Sequence, residues 1–310
     1  MYDPTVSRAA VFALVLAGCY SPSPGAGAPC TTDTQCPGTQ RCVANTCGGS
    51  PHDGSPDDSD AENLIDAPPD TPIGAWSTPV PVAGVNTNDD ESDPTFSPDR
   101  LTMFFTSNRD GDDDIWMGTR GSTAEPFVVS RLDTVSTTPN EEHSPEISPD
   151  GRTLYLSSTR GGNFDYWRAK LVDGVWQTPT KVLELSSAST EEDIAIAADG
   201  LEAIIERSSN KLYRATRLDP GAPWGMPLEL AGSFGSGPAG IALDAAGNLY
   251  LHATGNDRDL YFAKRNGNTF DPPVEILELT SNAREAAPFV SADGRYLMFE
   301  CARDICESSR

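Results

Sequence analysis

From residue 76 onward the chain is written in short β-rich runs separated by phrases of Ser, Pro, Asp and Gly. The stretch after Glu142 shows the pattern most cleanly. Glu146-Ile147 belongs to an inner strand, and Ser148-Pro149-Asp150-Gly151 places Pro and Gly where a type I turn prefers them. Leu154-Tyr155-Leu156-Ser157 reads as the next strand, and Asp165-Tyr166-Trp167-Arg168-Ala169-Lys170 alternates as a third. Asp173-Gly174 signals a tight hairpin, after which Val175-Trp176 opens an outer strand closed by Pro179. The pattern predicts four antiparallel strands joined by short turns.

That unit repeats. Its turn phrase returns as Ser97-Pro98-Asp99-Arg100, Ser148-Pro149-Asp150-Gly151, Ala197-Ala198-Asp199-Gly200, Asp244-Ala245-Ala246-Gly247 and Ser291-Ala292-Asp293-Gly294, in steps of 51, 49, 47 and 47 residues. A fixed period of this size with several strands per unit predicts an all-β protein, a β-propeller of four-stranded blades. The third strand recurs at Asp114-Ile115-Trp116, Asp165-Tyr166-Trp167, Lys211-Leu212-Tyr213, Asp259-Leu260-Tyr261 and Asp304-Ile305-Cys306. The outer strand is expected near Trp76, Phe127, Trp176, Trp224 and Phe270, aromatics that read as packing between neighbouring blades.

The run from Asp93 to Trp116, and equally Ser144 to Trp167, resembles the WD40-like repeat of TolB-type propellers. The resemblance covers about residues 76–310 and is weakest in repeats three and four, where Lys211 replaces Asp and the Pro-Asp pair is missing. The chain enters on an outer-strand phrase at Trp76 and ends soon after the fifth third-strand phrase. The Trp76 segment is therefore expected to complete the last blade, giving five blades; the resemblance brings six as the alternative. Cys301 and Cys306 flank the turn of that blade and fit a cross-hairpin disulfide.

The remainder reads as export machinery. Ala9 to Ala17 is too short to span a bilayer but suits a signal peptide, and Leu16-Ala17-Gly18-Cys19 resembles a bacterial lipobox, which implies acylation at Cys19. Tyr20 rather than Asp follows it, so the same resemblance implies an outer-membrane anchor where the organism has two membranes. Cys30, Cys36, Cys42 and Cys47 lie within eighteen residues and read as two disulfides with three open connectivities; zinc competes, but the close Cys pair of a zinc module is missing. No Lys or Arg occurs between Arg41 and Arg100, and that gap opens on an acidic stretch rich in Pro, Gly and Ser. The expected division is a signal peptide over 1–18, a lipid-anchored tether over 19–29, a Cys-rich module over 30–47, a disordered acidic linker over 48–74 and the propeller over 75–310. The membrane is met only through the lipid.

A formal charge of -24 excludes nucleic acid as a partner. The three His are scattered, and neither a G-x-S-x-G elbow nor a phosphate loop occurs, so no catalytic residue or cofactor is assigned. Asp110, Asp112, Asp113 and Asp114 fail the EF-hand pattern and read as a solvated turn. One constellation stands out: Glu91, Glu142, Glu191 and Glu285 precede four of the five inner strands, with Pro238 in the fifth. These four are expected at the channel mouth as candidate ligand-binding residues for a Lys/Arg-bearing peptide, an amine or a divalent cation, or else as caps of their own loops. The leading expectation is an envelope lipoprotein whose propeller binds a protein or peptide partner without catalysis. The alternatives are a glycoside hydrolase or glycan-binding protein using the channel-mouth carboxylates, and a structural surface module without a discrete ligand.

Overall fold

The computed structural model describes residues 41–43, 46–48, 74–207, 211–232, 234, 237–253 and 258–310. The chain divides into two compact units, Met1–Asp70 and Thr71–Arg310. In the first, strands Arg41–Val43 and Thr46–Gly48 pair antiparallel with Cys42 opposite Cys47. Cys19, Cys30, Cys36 and the acidic linker from 49 to 73 lie outside the described residues, as do the side chains of Cys42 and Cys47.

The second unit is a propeller of five four-stranded antiparallel blades. Blade 1 runs Glu91–Phe96, Thr102–Ser107, Asp114–Thr119, Val128–Arg131, and blade 2 runs Glu142–Ile147, Thr153–Ser158, Asp165–Val172, Thr180–Lys181. Blade 3 is Glu191–Ile196, Glu202–Arg207, Lys211–Thr216, Leu228–Glu229, and blade 4 is Pro238–Leu243, Leu249–Ala253, Leu260–Ala263, Val274–Glu275. Blade 5 takes Glu285–Val290, Tyr296–Cys301 and Asp304–Ser309 from the end of the chain and Val80–Pro81 from its beginning, with Glu307 opposite Val80 and Cys306 opposite Pro81. The ring thus closes as the Trp76 phrase predicts. Cys301 and Cys306 are bonded, with their Cα atoms 5.8 Å apart. Among the described residues no helix is long and apolar enough to cross a membrane.

The turn phrase works as its residues suggest. Ser97 Oγ donates to Asp99, whose carboxylate accepts from Leu101 N, and the same pair of bonds recurs from Ser148 and from Ser291. The last residue of each phrase takes positive φ, at 68° for Gly151, 69° for Gly200, 76° for Gly247 and 66° for Gly294. Arg100 takes 57° without that freedom.

The outer strands begin after their aromatics rather than at them, one residue later at Phe127 and four later in the other blades. The reason is packing. Each ring turns into the seam with the preceding blade: Phe127 joins Met103 and Tyr296, Trp176 joins Phe104 and Leu154, Trp224 joins Tyr155 and Ile205. Phe270 and Trp76 fill the two remaining seams. Only past the ring does the backbone swing into pairing range. In blade 2 the Val175–Trp176 segment instead folds back on the third strand around Asp173-Gly174, both at positive φ. An Arg guanidinium covers four of the five rings, 4.2 Å above Phe127 and Trp76, 4.0 Å above Trp224 and 5.0 Å above Phe270.

Candidate active site in the central channel

The four glutamates singled out by the repeat do not line the channel cavity. Glu91, Glu142 and Glu191 are 0% exposed and Glu285 2%. Glu91 accepts from Thr87 N, Thr87 Oγ1, Ser107 Oγ and Arg109 Nη2, and Glu142 accepts from Thr137 N, Thr137 Oγ1, Ser158 Oγ and Arg160 Nη2. Arg207 takes the same place 3.4 Å from Glu191, while Glu285 is bound by Ser281 N and Oγ. Each carboxylate thus fastens the start of its inner strand to the preceding loop, and none is free for a ligand.

The channel is built one rung further in. Every inner strand carries a β-bulge, with shifts of register between Ser92 and Thr95, His143 and Glu146, Glu191 and Ile194, Ala239 and Ile241, and Ala286 and Phe289. The residues at these bulges are Asp93, Ser144, Asp193, Gly240 and Ala287, and φ is positive at Asp93 (51°), Ser144 (48°), Gly240 (50°) and Ala287 (46°). A bulge re-aims a side chain, and non-Gly residues held at positive φ gather where function constrains the backbone. Gly240 has no alternative, since a Cβ there would stand 2.5 Å from His252 Nδ1. The bulge side chains border a cavity of about 500 Å³.

Behind the bulges runs a second ring from the second strands: Thr106, Ser157, Glu206, His252 and Glu300. In three blades this residue ties its blade to the next. Ser144 N donates to Thr106 Oγ1 (3.2 Å), Ser157 Oγ donates to Glu191 O (2.6 Å), and Ala287 N donates to His252 Nδ1 (3.2 Å). Blades 3 and 5 substitute a carboxyl group, 1% exposed at Glu206 and 4% at Glu300. Burial, then the neighbouring Asp193 charge, pushes Glu206 far above the carboxylate range; burial and the Asp93 charge push Asp193 up as well. Burial lifts Glu300 to about 7 against the opposing charge of Arg284, 2.9 Å away. Glu146 accepts from Thr95 Oγ1 and Ile196 N, so it spans three blades, and burial raises it to about 7. Tyr166 Oη sits 2.7 Å from both Asp193 O and Glu206 O, which holds the two strands of the acidic pair in register.

Histidines complete the wall. Burial, then the charges of Arg258 and Arg284, lowers His252 to about 3, so it stays neutral. His143 Nε2 lies 3.2 Å from Asp113 Oδ2; burial works against its charge, but the Asp113 bond and nearby carboxylates outweigh it and raise the pKa. Among the described residues no three His, Cys, Asp or Glu side chains are grouped to hold a metal ion. The cavity wall thus combines carboxyl groups that burial pushes up, Glu206, Asp193 and Glu300, with Asp90, which its bond to Arg303 holds below the usual carboxylate range. That division is what acid–base work on a single bond requires. The sequence signal for Glu206 and Glu300 was a departure from the repeat: the blades read Thr, Ser, Glu, His, Glu at one place.

No protein-family profile and no curated protein matches the chain. Solved structures do. The catalytic domain of the Coprinopsis cinerea GH62 α-L-arabinofuranosidase matches with a TM-score of 0.52 at 12% identity, over 76% of this chain and 97% of that one. A GH62 hydrolase in complex with xylotriose matches with a TM-score of 0.51, again at 12% identity over 76% and 97%. TolB from Acinetobacter baumannii is matched at 18% identity over 73% of this chain and 44% of that one, with a TM-score of 0.38. At these identities the likeness of the two GH62 structures shows the fold alone, consistent with the propeller seen in the strand topology. The expectation of a non-catalytic protein-binding propeller is nonetheless corrected. The two GH62 hydrolases are matched over 97% of their own chains, with TM-scores of 0.51 and 0.52. The carboxylates on which the binding expectation rested are also locked inside their blades.

Proposed function

We propose that the protein is a glycoside hydrolase acting in the propeller channel. The observation that carries this reading is the set of carboxyl groups in unlike environments around one cavity, with Glu206 and Asp193 pushed up together and Asp93 beside them. Glu206 is the protonated group suited to give its proton to a leaving oxygen, and Asp93, at the bulge bordering the same cavity, is placed to face the sugar or a water. Asp193 sets the proton affinity of Glu206, and Tyr166 positions both. The likeness to GH62 catalytic domains supports a glycan as the bond-bearing substrate. The repeat phrases and the Cys19 signal support an exported, lipid-anchored form of this enzyme, which mass spectrometry of Cys19 in membrane fractions would test.

The functional test is release of reducing sugar or aryl alcohol from a panel of arabinoxylan oligosaccharides and aryl glycosides by the full chain. Glu206→Gln and Asp93→Asn are each expected to lower turnover by roughly 10²–10⁴-fold. Absence of turnover across the panel, or full turnover in both variants, overturns the reading.

A further inference from the structure

The cavity wall is divided by charge. Blades 1 to 3 supply Asp93, Asp193 and Glu206, whereas blades 4 and 5 supply Arg258, Arg284 and His252. Arg258 lies just before the third strand of blade 4, at φ 51°. Its carbonyl accepts from Glu285 N, while its half-buried guanidinium makes no hydrogen bond or ion pair with any described residue. Arg284 lies just before the inner strand of blade 5 and pairs with Glu300 at 2.9 Å. The charges of both arginines act on His252 and on Glu300, which sets the two guanidinium groups on one side of the cavity. His252 Nδ1 accepts from Ala287 N, so its proton sits on Nε2, where it can only donate. Arg303 at the rim is already paired with Asp90.

This wall has more donors than partners. Of the two guanidinium groups only that of Arg284 has a carboxylate partner among the described residues, in a chain whose formal charge is -24. Leaving a half-buried guanidinium unpaired is unfavourable, and its planar fork of donors fits a carboxylate through two parallel bonds. Neutral sugars present hydroxyl groups, which would leave that charge uncompensated.

We propose that the substrate is an acidic glycan, and that Arg258, with Arg284 beside it, binds the carboxylate of a uronic-acid residue at the blade 4 and 5 side of the cavity. The neighbouring glycosidic bond then faces Asp93 and Glu206. This rests on the hydrolase reading, from which it is separable by experiment.

The test is calorimetric titration of the full chain with xylotriose and with xylotriose bearing one glucuronic acid. The acidic oligosaccharide is expected to bind at least roughly tenfold more tightly. That preference should weaken with added salt. Arg258→Gln removes it and Arg258→Lys keeps part of it, while both variants keep a single cooperative melting transition, because the Arg258 guanidinium hydrogen-bonds no described residue. Equal binding of the two oligosaccharides, or a preference that survives in Arg258→Gln, overturns the inference. Turnover of neutral glycans without preference overturns it while leaving the hydrolase reading intact. Tight Arg258-dependent binding of the acidic oligosaccharide without cleavage supports the anion site and removes hydrolysis. Binding of neither sinks both.

Discussion

Lys211 Nζ lies 2.8 Å from Glu229 Oε1, whereas the same place holds Asp114 with Arg131 in blade 1 and Asp165 with Lys181 in blade 2. The lysine that breaks the repeat is a charge-swapped pair, and the partner across the strands changed sign with it. Single residues in the channel act through protons instead. Glu146 and Glu300 are each raised from 4.5 to about 7, first of all by burial. The folded protein therefore holds protons that the unfolded chain releases above about 4.5. Their contribution is full below that pH and is lost as pH rises towards 7, by on the order of 1–3 kcal/mol each. Thermal melting followed from pH 8 down to pH 5 should show rising stability, and Glu300→Gln should flatten the slope. A melting temperature that falls steadily over this range would show that these groups are ionised in the fold.

Elements repeat a rung made of a glutamate, a hydroxyl and an arginine. Arg109 and Arg160 each bind a strand-start glutamate and a loop carbonyl, Val85 O or Val135 O, and stack on the third-strand aromatic at 4.6 Å (Trp116) and 5.2 Å (Trp167). Arg207 repeats the arrangement, binding Leu185 O and lying 4.8 Å from the Tyr213 ring. One side chain thereby fastens an inner strand, a loop and a third strand. Glu142→Gln leaves Arg160 buried without its anion and should cost about 3 kcal/mol in a denaturant titration. Turnover per folded molecule should stay close to wild type, since Glu142 does not reach the cavity. Lost turnover at unchanged stability would place that glutamate in the chemistry after all.

The propeller unit is a ring closed by two residues, Val80–Pro81, on a blade otherwise made by the end of the chain. Removing residues 1–84 takes away that strand together with Trp76 and Val82 from their seams. The truncated chain is expected to lose its single sharp thermal transition, and an unchanged melting curve would show that closure contributes nothing. Ring, blade count and closure were legible in the residues because period, turn chemistry and strand alternation are local. They depend on neighbours a few positions apart, and five copies of the same signal reinforce one another. The disulfide between Cys301 and Cys306 was legible for the same reason. What faced the channel was not. A glutamate at the head of four of the five inner strands looks like a site in the sequence, yet the bulge that follows turns the next residues inward and leaves each glutamate to its own loop and, in blades 1 to 3, its own arginine. Asp193 and Glu206 are neighbours within blade 3, but Asp93 of blade 1 and Glu300 of blade 5 join them only because the blades are wound about one axis. Proximity between separate blades leaves no local pattern in the sequence. The sequence alone determined the propeller and its closure. Tertiary structure decided which carboxylates share a cavity, because proximity across the ring and burial, not residue identity, set their proton affinities.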